Sequence, residues 1–166
     1  AGMPCEAGQR REWDGVSFQV LYPMQADVQA QRKTPNAQSC VLRVANEHVA
    51  VLLPGDIGAP EERFLLTHWP QGMPLKINGL LMPHHGSRYS SSTAFLTALQ
   101  PDWVMAQACY RNRFGHPHAQ VMARYQQLGT EVYESPRCGA WRWSSDKPMQ
   151  SICHRAESQR YWRHRF

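Results

Sequence analysis

Leu80-Leu81-Met82-Pro83-His84-His85-Gly86-Ser87-Arg88-Tyr89-Ser90-Ser91-Ser92 decides how this chain is read. An apolar run ends in two adjacent histidines, a glycine and a cluster of hydroxyls. Val49-Ala50-Val51-Leu52-Leu53-Pro54-Gly55-Asp56 has the same grammar: a buried-type strand with a polar group at its C-terminal end. Near-continuous apolar strands of this kind belong in sheets covered by other layers. With the two strands side by side, Asp56 and the histidine pair share one edge of a sheet. That edge is where open α/β sheets place their ligands.

Upstream, Trp13-Asp14-Gly15 reads as a hairpin turn leading into the alternating stretch Val16 to Tyr22. Residues 24–38 lack apolar periodicity and are expected to form a mobile surface loop. Ser39 to Val44 and Val49 to Leu53 form a second hairpin around Asn46-Glu47-His48, and a short helix opens at Pro60 with Glu61 and Glu62 in its first turn. Downstream, Ser90 to Ser92 can cap a helix whose apolar face is Ala94, Phe95, Ala98 and Leu99. Trp103 to Cys109 is the next strand. A polar loop, residues 110–117, then enters a helix bearing Val121, Met122, Tyr125 and Leu128, stopped by Gly129. Glu131 to Tyr133 and Ala140 to Trp143 close the pattern. The order of strands and helices predicts an α/β fold. Residues 1–150 read as one domain and 151–166 as a basic, frayed tail.

At 166 residues and 42% hydrophobic, the chain is long enough for a real core. No run of about twenty apolar residues spans a membrane, and no signal-peptide pattern opens the chain. Its first residues, Ala1-Gly2-Met3-Pro4, read as those of a part excised from something larger. The net charge of +5 gathers as arginine at 10–11, 111–113 and 155–165, compatible with a polyanion partner and equally with solvated surface. Five cysteines without a C-x-x-C pair exclude a zinc finger. Cys40 and Cys109 read as buried small residues; Cys5, Cys138 and Cys153 lie near turns and are free to pair in an oxidising compartment. No G-x-S-x-G, G-x-G-x-x-G or P-loop motif is present.

Asp56 suits a hard divalent ion such as zinc, manganese or magnesium. Strand alternation sends His84 and His85 in opposite directions, so at most one is expected beside it. Each residue taken singly is also explained as a turn aspartate or a packing histidine; the pairing at neighbouring strand ends favours a metal site. His116 stands at a helix mouth, in reach of an anion bound there. Arg111 and Arg113 flank Asn112 with guanidinium forks suited to phosphate. His48, His68, His118, His154 and His164 read as surface or structural groups. Trp13, Trp69, Trp103, Trp141 and Trp143 read as core or rim packing.

Four segments together carry a family resemblance: Asn36-x-x-Ser39-Cys40-Val41-Leu42-Arg43-Val44, Leu52-Leu53-Pro54-Gly55-Asp56-Ile57, Pro83-His84-His85-Gly86-Ser87 and Asn112-Arg113-Phe114-Gly115-His116-Pro117. With Cys5-x-Ala7-Gly8-Gln9 and Trp13-Asp14-Gly15-Val16, they resemble the C-terminal metallo-β-lactamase-like domain of ComEC-type DNA-internalisation competence proteins, over residues 5 to 143. The resemblance implies the second half of an αββα sandwich, a mixed sheet with helices on one face. It implies Asp56 and one of the two histidines, His84 or His85, as metal ligands for zinc or manganese in the intact domain. Asp56 and His116 stand as catalytic residues, with Ser87, Arg111, Asn112 and Arg113 binding substrate. Asn36 and Ser39 stand near where many relatives of the superfamily carry a further histidine.

The function so implied is metal-dependent phosphodiester hydrolysis, a nuclease acting on the non-transported DNA strand. The implied partners are single-stranded DNA, the remainder of a polytopic inner-membrane channel and the DNA-uptake machinery, with this domain outside the cytoplasm, in the periplasm. No histidine fits the H-x-D-x-D-H motif of the family's first half, so the fragment is expected to bind metal weakly and to be inactive alone. A basic DNA-guiding or scaffold domain, and a small-molecule metallo-hydrolase on the same fold, are the alternatives.

Overall fold

A computed structural model describes residues 4–26 and 34–157. Seven strands form one sheet in sequence order: β1 (Arg10–Trp13), β2 (Val16–Tyr22), β3 (Val41–Ala45), β4 (Ala50–Leu53), β5 (Gly79–Leu81), β6 (Trp103–Ala106) and β7 (Glu131–Glu134). The first four pair antiparallel, β1 with β2 and β3 with β4 through short turns. From β4 to β7 the pairing is parallel, because each connection carries a helix: α1 (Ala59–Thr67), α2 (Thr93–Leu99) and α3 (Ala119–Gln127). This is the expected α/β architecture, a mixed sheet.

The three helices share one face. Leu65 of α1, Phe95, Leu96 and Leu99 of α2, and Val121 and Tyr125 of α3 are buried in one cluster with Leu52, Leu80, Val104 and Ala106 of the strands. Strand side chains alternate between faces, so Val51, Leu53 and Leu81 point the other way. Cross-strand register extends that second face through Leu42 and Val44 of β3 and Phe18 and Val20 of β2. All seven are apolar, and all are only half-buried. The sheet is therefore apolar on both faces and helix-covered on one, as half of a sandwich would be.

A hairpin of β8 (Trp141–Trp143) and β9 (Ser151–Cys153) shields the β6 end of the open face. The Trp103 ring packs against Trp141 at 4.6 Å and Trp143 at 5.1 Å between centroids. Gly79 opposite Trp103 is required by that packing, since a Cβ there would stand 2.1 Å from the indole.

Several expectations change. Ser151–Cys153, grouped by sequence with the frayed tail, is strand β9, followed by the helical turn α5 (His154–Glu157) after the earlier turn α4 (Ser135–Cys138). A Cys138–Cys153 disulfide ties this module together; residues 158–166 lie outside the described residues. Cys40 is not a buried packing residue but is joined to Cys5, and Cys109 is an exposed free thiol. In the segment expected to be a mobile loop, Asn36–Gln38 form a 3-10 turn, and residues 27–33 lie outside the described residues. Trp13 is 78% exposed, so it packs neither core nor rim.

Glu62, in the first turn of α1 as expected, is fully buried, and its carboxylate accepts from the backbone N–H groups of Ser91 at 2.5 Å and Ser92 at 2.8 Å. Glu61 reaches back instead to the N–H of Gly58 at 3.1 Å, closing the start of α1.

Candidate metal and phosphate site

Strands β4 and β5 are parallel neighbours, so their C-terminal ends emerge on the same edge. After β4 the chain turns at Gly55, whose φ of +61° places it in the left-handed region. The turn packs closely on the 36–40 segment: a Cβ on Gly55 would stand 2.9 Å from Ser39 Cβ. The Asp56 N–H donates to Ser39 Oγ at 3.1 Å, which anchors the aspartate backbone.

After β5 the chain enters a 3-10 turn, Pro83–Gly86, in which His84 (φ 48°) and His85 (φ 54°) are both left-handed. Strand alternation therefore stops before the histidines, and the turn rather than the pleat sets where each ring goes. The His84 N–H donates to Gly55 O at 3.0 Å, stitching the two strand ends together. His85 Nε2 lies 3.5 Å from Asp56 Oδ1. Its Nδ1 lies 2.7 Å from the carbonyl oxygen of Gln107 at the end of β6. A carbonyl only accepts, so Nδ1 carries a proton. Nε2 is thus the ring atom turned toward Asp56.

His84 takes a different neighbour, with Nε2 3.3 Å from Asn36 Nδ2. Its ring lies 6.3 Å from that of His116. Burial, and then the nearby His84, His85 and His118 rings, hold His116 below the ordinary histidine pKa. Among the described residues the buried His116 Nδ1 has no hydrogen-bond partner. His118, read as a surface or structural group, caps α3 by accepting from the Gln120 N–H at 3.3 Å.

The expected substrate groups are not gathered equally. Asn112 is spent within its own loop, donating to the carbonyls of Cys109 at 3.1 Å and His116 at 2.6 Å and accepting from the His116 N–H at 3.0 Å. Arg111 and Arg113 are exposed, lying over the Tyr110 and Phe114 rings. Ser87 is buried, its Oγ facing the Tyr89 N–H at 3.5 Å.

Gln107 and Glu62 carry no sequence signal of a place at or behind the site, and Asn36 and Ser39 are signalled only by their nearness to a further histidine position of the superfamily. The 3-10 segment that presents Asn36 meets Asp56 through the Ser39 hydroxyl, and the Cys5–Cys40 bridge ties down its far end, contacts with no local signal. Glu62 acts from behind, through Ser91 and Ser92, on the loop that also returns the Ser90 hydroxyl to Pro83 O at 2.9 Å.

Among the described residues no group of three or more His, Cys, Asp or Glu side chains is disposed to hold a metal ion. Asp56 and His85 make a two-donor edge, where a divalent centre of this chemistry takes four or more ligands. These residues alone do not fit a complete metal centre.

Comparison with known proteins identifies the lineage. The chain is 36% identical over 136 residues to competence protein ComA of Neisseria gonorrhoeae, covering 81% of this chain and 18% of that protein. It is 31% identical over 138 residues to recombination protein 2 of Haemophilus influenzae, covering 83% of this chain and 16% of that protein. This chain is a homologue of the ComA/ComEC-type competence proteins. The ComEC-type segment described here spans less than a fifth of the length of these relatives. No established family profile matches it. Among solved structures, a protein described as a metal-dependent hydrolase of Parabacteroides distasonis has a TM-score of 0.47 at 12% identity, over 78% of this chain and 55% of that one. That likeness is too slight to bear on function. No helix among the described residues is long and apolar enough to cross a membrane.

Proposed function

We propose that this segment is part of a DNA-uptake protein in which a completed metallo-β-lactamase-like domain hydrolyses phosphodiester bonds of the DNA strand that is not transported. The observation that carries this reading is the Asp56–His85 pair, 3.5 Å apart on adjacent strand ends, in a homologue of competence proteins. The pair supplies part of a zinc or manganese site, whose further donors come from another part of the polypeptide. The half-covered apolar sheet face supports that division, because an apolar layer of this extent calls for a partner layer.

In this reading His116, held neutral, is a proton acceptor beside the rim. Arg111 and Arg113 draw single-stranded DNA toward it by charge, and Asn112 sets the loop that carries them. The domain stands outside the cytoplasm, next to the membrane channel formed by the rest of the protein. Two disulfides among five cysteines support an oxidising compartment.

The test is cleavage of end-labelled single-stranded DNA with manganese or zinc, using the isolated 166-residue chain and a longer polypeptide that includes the rest of the domain. We expect cleavage only by the longer form, lost in Asp56→Ala and His85→Ala. Efficient cleavage by the isolated chain, abolished by Asp56→Ala, overturns the division of the site. A longer form that binds DNA in a salt-sensitive manner without turnover establishes the second reading, a DNA-guiding domain, which the two-donor edge favours.

A further inference from the structure

Beyond the rim, the loop after β6 and the short helix α4 enclose a groove of about 270 Å³, lined by Cys109, Arg111, His116, Glu134 and Arg137 among others. The two arginines reach it from elements that are distant in sequence. Arg111 belongs to the loop whose shape Asn112 maintains. Arg137 belongs to α4, which the Cys138–Cys153 disulfide fastens to β9. His116 joins the groove to the Asp56–His85 edge, since its ring also neighbours His84.

The charge balance favours an oxyanion. Glu134 is the carboxylate in the groove, and it is answered by Arg137, with Nε 3.2 Å from Oε1. One carboxylate does not exhaust the five donors of a guanidinium, and the Arg137 side chain remains 71% exposed. Among the described residues Arg111 has no carboxylate partner; it lies over the Tyr110 ring at 5.1 Å and is open to solvent. One cation is thus in excess, with further donor capacity on the second. Tyr110 beside Arg111 adds an exposed aromatic face of the kind that nucleic-acid bases stack on.

We infer that this groove is a phosphodiester subsite for single-stranded nucleic acid, with Arg137 and Arg111 clamping a phosphate next to the one presented to the Asp56–His85 edge. The inference rests on the DNA reading above and extends it to a residue, Arg137, contributed by the disulfide-bonded module. That module thereby has a role in binding as well as in covering the sheet.

Cys109 supplies a readout independent of cleavage, since it is an exposed free thiol lining the same groove. The experiment measures the rate at which iodoacetamide alkylates Cys109 in the full chain, alone, with an oligothymidylate of about twelve nucleotides, and with inorganic phosphate. We expect the oligothymidylate to slow alkylation several-fold. That protection should fall in Arg137→Gln and in Arg111→Gln, but persist in Arg63→Gln, a control at an exposed position on α1. Circular dichroism of each variant verifies its folding.

Protection that survives in both groove variants, or no protection by the oligonucleotide at all, overturns the inference. Protection by inorganic phosphate alone overturns the nucleic-acid assignment and makes the groove a site for free phosphate. The two proposals fail separately. DNA protection of Cys109 in a longer polypeptide that never cleaves refutes the hydrolytic reading and leaves the groove standing, while cleavage without protection does the reverse.

Discussion

Glu62 and Ser92 are thirty positions apart and joined by a 2.8 Å hydrogen bond from the Ser92 N–H to a carboxylate with no exposure to solvent. The same carboxylate holds the Ser91 N–H, while Arg124 holds the carbonyls of Ser90 and Ser91 at 2.9 and 3.0 Å. Behind the histidine turn there is thus a buried clamp made of one acid, one base and three consecutive serines. Tyr125 completes it by donating to Ser91 Oγ at 2.9 Å, and burial pushes its phenol far above the usual range.

Glu62→Ala strands two buried backbone donors and is expected to cost about 3 kcal/mol of stability; Glu62→Gln retains one acceptor oxygen and costs about 1–2 kcal/mol. Urea unfolding checks both. A cost below the error of that measurement for the alanine variant would show that water or a rearranged loop takes over the bonds.

Burial raises the Glu62 pKa above the ordinary carboxylate range, against the opposing effect of its hydrogen bonds and Arg124. The folded state then binds a proton more readily than the unfolded chain. This contribution to stability is present at low pH and is lost as pH rises from the ordinary glutamate value through the raised folded one. Unfolding free energies measured across that window should fall more steeply with pH in the wild type than in Glu62→Gln.

His116 has the opposite sign. Its lowered pKa means that the folded state gives up the proton first, so stability should rise with pH from the lowered folded value toward the ordinary value near 6.5. Proton NMR should show the His116 ring titrating below that ordinary value. His84→Gln removes one of the neighbouring positive charges and should move the midpoint upward. No movement would remove His84 from the causes and leave burial with the His85 and His118 rings.

Gly55→Ala places a Cβ 2.9 Å from Ser39 Cβ at a residue with positive φ, and should cost roughly 2 kcal/mol or more. The same shift pulls Asp56 away from Ser39 Oγ. Thermal unfolding, together with loss of the His85–Asp56 proximity by NMR, is the measurement.

The Cys5–Cys40 bridge spans thirty-five positions and should contribute about 3–4 kcal/mol by constraining the unfolded chain. Dithiothreitol should lower the unfolding temperature and raise the titratable thiols from the single Cys109 toward five. The double variant Cys5→Ala/Cys40→Ala should reproduce part of the loss, and should also release Asn36 from His84.

Much of this molecule was legible in one dimension. The apolar runs at 49–53 and 80–82, the hairpin turns at 14–15 and 46–48, the Ser92 cap and the helix-stopping Gly129 each carry their cause locally, in side-chain periodicity or turn chemistry. Those local causes suffice for the α/β order, the parallel pairing and the delivery of Asp56 and the histidines to a common edge. Three things could be decided only by folding. One is the left-handed backbone at His84 and His85, fixed by the bond from the His84 N–H to Gly55 O rather than by residue preference. The second is the burial of Glu62, whose partners arrive from a distant loop. The third is the pairing of Cys5 with Cys40 and of Cys138 with Cys153. A strand or a turn answers to its own few residues. A shared proton, a buried charge or a disulfide answers to whichever atoms the completed chain brings within a few ångströms, and sequence spacing does not encode that distance.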